Sequence, residues 1–232
     1  MNYSLIICTY MRPQALLALL KSVEQQSLYP AEIVIVDGSI NDETAIMLHQ
    51  NRFNSLEYFL VSEKDRGLTR QRNVGISKVD KNAEFICFLD DDTILERDYF
   101  INLIGTYNLH PEAIAVGGFI TNESQWEKVP ENYIDKQDDF VFDGWKRKDS
   151  SRYILRKKLG LDSALAPGFS PEFGHGRSVG FLPPSGKIYS VEHFMGGASS
   201  YRKQVFDQFH FSEYFEGYGL YEDSDFAFRL SK

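Results

Sequence analysis

Phe85-Ile86-Cys87-Phe88-Leu89-Asp90-Asp91-Asp92-Thr93 is an apolar pentapeptide that runs straight into three consecutive carboxylates. Five apolar residues in a row read as a core strand, and the acids fall where that strand should end. Neighbouring carboxylates raise one another's pKa and resist joint ionisation, a penalty that a divalent cation relieves and that solvent only dilutes. In an extended chain residues i and i+2 share a face at roughly 6.5–7 Å between Cα atoms, so Asp90 and Asp92 should converge while Asp91 points away. The unit reads as Asp-x-Asp.

Outward from this stretch, strand patterns at 4–8, 32–36, 56–60, 85–89 and 113–117 alternate with helical patterns at 13–26, 42–50, 68–79 and 97–110. The first helix opens on Pro13 and carries Leu16, Leu17, Leu19, Leu20 and Val23 at helical spacing. Such alternation predicts an α/β fold with a largely parallel sheet and helices on both faces. Ligands of such sheets lie outside the carboxyl ends of the strands. Here those ends carry Thr9-Tyr10-Met11-Arg12, Asp37-Gly38-Ser39 and Asp90-Asp91-Asp92. Residues 121–190 differ, being irregular, aromatic and interrupted by Ala166-Pro167-Gly168 and Leu182-Pro183-Pro184-Ser185-Gly186. Long irregular stretches of this kind are functional or mobile. After them Met195-Gly196-Gly197-Ala198-Ser199-Ser200-Tyr201-Arg202 reads as the entry to a short helical segment, and an acidic helix follows from Glu222.

Composition narrows the function. The chain has 232 residues and a formal charge of −8, which fits one large α/β domain and argues against general nucleic-acid binding. Two local basic clusters, Lys146-Arg147-Lys148 and Arg156-Lys157-Lys158, break the acidic average and could face anionic lipid or water. The two cysteines, Cys8 and Cys87, each lie in an apolar run, which suggests small core residues in a reducing, cytoplasmic compartment. The first residues lack the basic and long apolar regions of a signal peptide, and no apolar window reaches the length of a membrane span.

Six segments, taken in order, resemble the family 2 glycosyltransferases of GT-A fold. They are Thr9-Tyr10-Met11-Arg12-Pro13, Val36-Asp37-Gly38-Ser39-Ile40-Asn41-Asp42, the run from Gly67 to Ile76, the Asp-x-Asp, Gly196-Gly197 before Tyr201-Arg202, and Glu222-Asp223-Ser224-Asp225. The resemblance covers nearly the whole chain. It implies a Rossmann-like, mostly parallel mixed sheet flanked by helices, in a single catalytic domain. Residues 1–120 would form its nucleotide-sugar half, and 121–232, with its irregular region, the acceptor half. It also implies sequence beyond residue 232.

By the same resemblance Thr9, Tyr10 and Arg12 line the nucleotide pocket, and Asp37 accepts from the N3–H of a uracil or a comparable base edge, a charge-assisted bond. Asp37-Gly38-Ser39 also reads as an ordinary strand-to-helix turn with Asp42 as helix cap. Gly67 would bring backbone N–H groups to a diphosphate, and Arg72, out of Arg66, Arg70 and Arg72, would add positive charge or brace the Asp-x-Asp. Asn73 belongs to the same motif with no role derived. Asp90 is expected to contact the nucleoside and Asp92 to bind manganese or magnesium, with Asp91 peripheral. Asp223 would be the base that takes the acceptor proton, Glu222 an acceptor ligand, Gly196 and Gly197 the place of close approach to the donor sugar, and Arg229 a brace for the acidic helix. Neither His175 nor His193 is assigned to the metal.

The expected reaction is inverting transfer of a sugar from a nucleotide diphosphate sugar, a UDP-sugar in first place, to a hydroxyl of a saccharide or lipid-linked acceptor, with peripheral membrane contact open. Trp126, Trp145, Phe169, Phe173 and Phe181 would stack on sugars or fill a small core, the second being the commoner fate. Three other readings compete. A haloacid-dehalogenase-type phosphatase wants Thr or Val two places after the second Asp, where Ile94 stands. A nucleotidyltransferase wants a glycine-rich phosphate loop after the first strand, where Thr9-Tyr10-Met11-Arg12-Pro13 stands instead. A binding module of the same fold without turnover is compatible with every residue.

Overall fold

A computed structural model describes residues 2–122, 124–172, 175–215 and 220–231. The first half runs β1 (Tyr3–Thr9), α1 (Pro13–Glu24), β2 (Glu32–Asp37), α2 (Glu43–Gln50), β3 (Leu56–Leu60), α3 (Leu68–Lys78), β4 (Phe85–Asp90), α4 (Tyr99–Leu109) and β5 (Ala115–Gly117). Each strand and helix expected there is present, with its ends within two residues. The second half adds β6 (Glu127–Lys128), β7 (Asp139–Phe142), β8 (Trp145–Lys148), α5 (Ser151–Lys158), β9 (Ala198–Arg202) and α6 (Glu222–Leu230).

Six strands form one sheet in the order β3-β2-β1-β4-β9-β5. The first four run parallel, and β9 lies antiparallel between β4 and β5. On one face Leu5, Ile7, Ile33, Ile35, Phe85, Cys87 and Leu89 pack with Leu16, Leu19, Leu20, Met47, Phe100 and Leu103 from α1, α2 and α4. The opposite face carries α3. There a Cβ at Gly75 would fall 2.6 Å from Ile6 Cγ2, so the absent side chain is what lets helix and strand approach. Past β4, the rings of Phe88, Tyr201, Phe206, Phe211 and Phe226 pack edge to face or stacked, with Phe211 and Phe226 4.4 Å apart. Full burial of such a ring stabilises by about 1.5–3 kcal/mol, so α6 is held chiefly through Phe226.

The pattern of Ala198-Ser199-Ser200-Tyr201-Arg202 does not announce a strand, since it has no β-branched residue. It is a strand because its small side chains fit between β4 and β5, and its hydroxyls find partners there. Ser199 Oγ donates to the Gly196 carbonyl, and Ser200 Oγ pairs with the Tyr107 hydroxyl and donates to the Val116 carbonyl. A helical turn begins only at Lys203–Asp207.

The chain divides into two compact units, residues 2–118 with 195–231 and residues 119–194. Residues 195–231 return to the first unit, where β9 joins the main sheet beside β4. The second unit has regular structure of its own: an antiparallel sheet in the order β6-β8-β7, followed by α5. Arg177, buried there, donates to both oxygens of Asp149 and to Asp162. Its guanidinium lies 4.2 Å from the Tyr153 ring centre and 4.4 Å from that of Phe140. Sequence periodicity misses this unit because its strands are two to four residues long and its core is built on a cation among aromatic rings.

Candidate active site

Parallel pairing sets three strand ends side by side: Thr9 is in register with Asp37, and Cys8 with Asp90. Beyond Asp90 the strand stops, because Thr93 N–H donates back to the Asp90 carbonyl and closes a turn. Strand alternation therefore no longer governs the next two residues, and Asp91 does not point away. It is 5% exposed, with one oxygen accepting from Thr9 Oγ1 at 2.7 Å and the other from Arg12 at 2.8 Å. The second arm of the Arg12 guanidinium reaches Asp92, also at 2.8 Å. Asp91 and Thr9 thus belong to the framework under the loop, where each was expected to line the nucleotide pocket or lie at its rim. Tyr10 and Arg12 remain at the surface.

Asp37 lies deeper than its expected role requires. It is fully buried, accepting from the Ser39 backbone N–H at 2.8 Å and from the Tyr58 hydroxyl at 2.9 Å. It braces the β2–β3 edge and, being fully buried, presents no surface to a base edge in this structure. Asp42 occupies the N-cap of α2 but its side chain caps nothing. Gly67 stands at the N-cap of α3 with φ 114°, a conformation that suits glycine, and its N–H donates to Gln71 Oε1. The Gln71 amide in turn donates to the carbonyls of Thr9 and Val36. This one side chain ties β1, β2 and the start of α3 together. It stands inside the Gly67–Ile76 motif, but only its burial reveals its function.

Of the three arginines around α3, Arg72 reaches the acidic centre. Buried beneath it, the guanidinium donates to Glu222 at 2.9 Å and approaches Asp90 at 3.5 Å, with its plane over the Phe211 ring at 5.1 Å. Arg70 pairs with Glu213 instead, and donates to the Lys64 carbonyl. Asn73 acquires a clear role: it exchanges two hydrogen bonds with the backbone of Phe211, fixing the ring on which Arg72 rests. Glu222 is buried against Arg72, so it braces the floor of the site and is withdrawn from the acceptor contact expected of it.

Asp223, one residue on, is partly exposed at the first turn of α6. One oxygen accepts from Gly196 N–H at 3.2 Å, and the other from Ser224 N–H at 2.7 Å. Arg229 holds Asp225 from one turn below at 2.9 Å, the helix brace expected of it. At Gly197 any Cβ would overlap the Asp90 carboxylate, and at Gly196 it would press on Arg72 and Asp223. A side chain at Gly197 would force Asp90 to move, whereas one at Gly196 would require its neighbours to give by a few tenths of an ångström.

Burial raises the pKa of Glu222, with Arg72 opposing and Asp223 reinforcing. Asp91 is raised by burial as well, against Thr9 and Arg12. Withdrawal from water also raises Asp90, with Arg72 opposing and the carboxylates of Asp92 and Asp223 adding to the rise. Five carboxylates face two guanidiniums here, which leaves an excess of negative charge that a cation would relieve. Asp90 and Asp92 keep side chains 51% and 56% exposed, each with one oxygen that accepts no hydrogen bond among the described residues. Also among the described residues, no group of three or more His, Cys, Asp and Glu side chains is placed to enclose a metal alone. The half-exposed oxygens of Asp90 and Asp92 are hard donors, the kind of ligand that suits a divalent cation completing its shell elsewhere.

His175 and His193 belong to the second unit, as do the aromatic residues expected to stack or pack. Trp126 meets Phe140 edge on, and Phe181 meets Phe140 and Tyr153, so both half-buried rings pack within the unit. Trp145 lies under Lys128. Phe173 and residues 216–219 lie outside the described residues. The cysteines serve as packing: neither is in a disulfide, and burial pushes the Cys8 thiol up to about 12.

A mostly parallel mixed sheet with its acidic centre at the strand ends defines the GT-A architecture. The chain belongs to glycosyl transferase family 2, whose model matches residues 4–208. It is 29% identical over 125 residues to a glucosyl-dolichyl phosphate glucuronosyltransferase of Haloferax volcanii, covering 52% of this chain and 38% of that protein. It is also 29% identical over 118 residues to the O-antigen chain rhamnosyltransferase RfbN of Salmonella typhimurium, covering 51% and 37%. The crystal structure of S. aureus TarS in complex with UDP superposes with a TM-score of 0.57 at 16% identity, over 98% of this chain and 54% of that one, a likeness of fold. The chain thus matches well under half the length of these curated relatives.

Proposed function

We propose that this protein is an inverting glycosyltransferase that moves a sugar from a nucleotide diphosphate sugar, a UDP-sugar first among them, to a hydroxyl of a saccharide or lipid-linked acceptor. The observation that carries the reading is Asp223. It is a partly exposed carboxylate held by Gly196 N–H, adjacent in sequence to the glycine that crowds Asp90, and by Ser224 N–H, and it follows directly on Glu222 of the Glu222–Arg72 pair. In a single displacement the acceptor oxygen attacks the anomeric carbon, its proton passes to Asp223, and the nucleotide diphosphate leaves with the bonding electrons. Asp92 would hold manganese or magnesium, which when bound neutralises the leaving diphosphate, and Asp90 would contact the nucleoside. Arg72 keeps the Asp90 carboxylate in place, Arg12 keeps the Asp92 loop closed, and the absent side chains at Gly196-Gly197 let Asp90 and Asp223 sit close against that backbone. The names of the curated relatives, with lipid-linked substrates among them, support the acceptor class.

Transfer or donor hydrolysis, assayed with added manganese over a panel of nucleotide sugars, tests this reading. Asp223→Asn should lower turnover by about 10²–10⁴-fold while nucleotide still raises the melting temperature in the presence of metal. Asp92→Ala should remove the metal dependence of that rise. A wild-type protein that is stabilised by nucleotide diphosphates yet turns over no donor would instead be the binding module of the same fold.

A further inference from the structure

The second unit carries an exposed patch that includes none of the residues assigned a part in the transfer step. Helix α5 and the residues after it, 151–161, contain Arg152, Arg156, Lys157 and Lys158 and no acid, in a chain whose net charge is −8. Tyr153 is buried and Lys157 bonds to Asp149 at 2.8 Å, which fixes the inward face. At 100° per residue the outward face is then centred on Leu155 and Leu159, with Arg152 and Arg156 along one flank and Lys158 along the other. The helix ends in a Schellman turn: Leu161 N–H donates to the Arg156 carbonyl and Gly160 N–H to that of Lys157, with Gly160 at φ +66°. That turn sets Leu161 at the end of the same helix. Leu155, Leu159, Leu161 and Leu165 are 56%, 62%, 51% and 47% exposed. Isolated exposed leucines mean little, but four within eleven residues, three of them on or at the end of one cation-flanked helix, form a patch. The nearby acids are already neutralised, Asp149 by Arg177 and Lys157 and Asp162 by Arg177.

We infer that α5 and its Schellman turn form a docking surface for an anionic lipid bilayer, the leucines entering the headgroup boundary and Arg152, Arg156 and Lys158 meeting lipid phosphates. An apolar stripe flanked by cations on a short helix is the pattern of an interfacial helix, and a bilayer supplies both complements at once. The inference stands apart from the proposed transfer chemistry.

Co-sedimentation of the chain with vesicles of phosphatidylcholine and phosphatidylglycerol at 3:1, and of phosphatidylcholine alone, decides it. Binding is expected to the anionic vesicles and to fall steeply from 0.1 to about 0.5 M salt, because exposed charges are screened. Replacing Arg152, Arg156 and Lys158 by Gln should weaken it about fivefold per cation. Replacing Leu155, Leu159 and Leu161 by Ser should weaken it at both salt concentrations. All three positions are exposed, and unchanged circular dichroism and melting would show the fold intact. Lys81→Gln with Arg97→Gln, two exposed cations elsewhere, should bind as wild type. Equal binding by the leucine or cation variants, or no binding by wild type, overturns the inference. So does concentration-dependent self-association that the leucine variant abolishes without any vesicle binding, which would make the patch an interface between copies.

Discussion

The Thr9 hydroxyl and the Arg12 guanidinium each hold one oxygen of Asp91, and Thr9 is the partner that can be removed without changing shape. Thr9→Val should cost about 1–3 kcal/mol in urea denaturation, since a buried carboxylate oxygen then loses its donor while packing is kept. Charge at the same site links stability to pH. Glu222 has an ordinary value of 4.5 that burial raises in the folded state, so above pH 4.5 the folded chain binds protons that the unfolded chain has released. Stability contributed by the protonated group is present below that value and lost as pH rises through the raised one. Glu222→Gln should therefore flatten the fall in melting temperature as pH rises above 4.5, read from thermal scans in matched buffers. Asp90 and Asp91, raised in the same sense, will leave part of the slope in place.

Helix α3 positions the site as an element, through three buried residues on its sheet-facing side. Gly75 lets it lie against β1, Arg72 reaches Asp90 and Glu222, and Gln71 bridges to the ends of β1 and β2. Gln71→Met keeps the volume but takes one donor from the carbonyls of Thr9 and Val36, the first of which still accepts from Gly38 N–H, and removes the acceptor of Gly67 N–H. The expected loss is about 1–3 kcal/mol in denaturant unfolding, the cost of a buried polar group left without its partner. Helix α6 acts differently: it is anchored by Phe226 and offers its first turn, where Glu222, Asp223 and Asp225 oppose the positive end of the helix dipole.

At the scale of the molecule the two units have different cores, one a sheet packed with aliphatic side chains and the other a buried arginine ringed by Tyr153, Phe140 and Phe181. Arg177→Met strips Asp162 of this partner and leaves buried Asp149 with Lys157. Breaking such a buried pair costs about 3–5 kcal/mol, so hydrogen exchange should lose protection in β7, β8 and α5 while β1, β2 and β4 keep theirs. That contrast also explains what could be read in advance. The alternation of apolar strands with helices along 3–117 is local in sequence and periodic, and it specified the parallel sheet and which three polar clusters share its edge. The order of the motifs specified the family. Tertiary structure alone decided which carboxylates face out: the turn at Thr93 buries Asp91 and leaves Asp90 and Asp92 exposed, Tyr58 covers Asp37, and Arg72 claims Glu222 and leaves Asp223 as the candidate base. It alone decided that β9 is a strand and that 119–194 has its own core. The reason is physical: periodicity encodes which face of an element is apolar, whereas the partner of a buried charge comes from residues as distant as the 150 positions between Arg72 and Glu222, and no local pattern records that pairing.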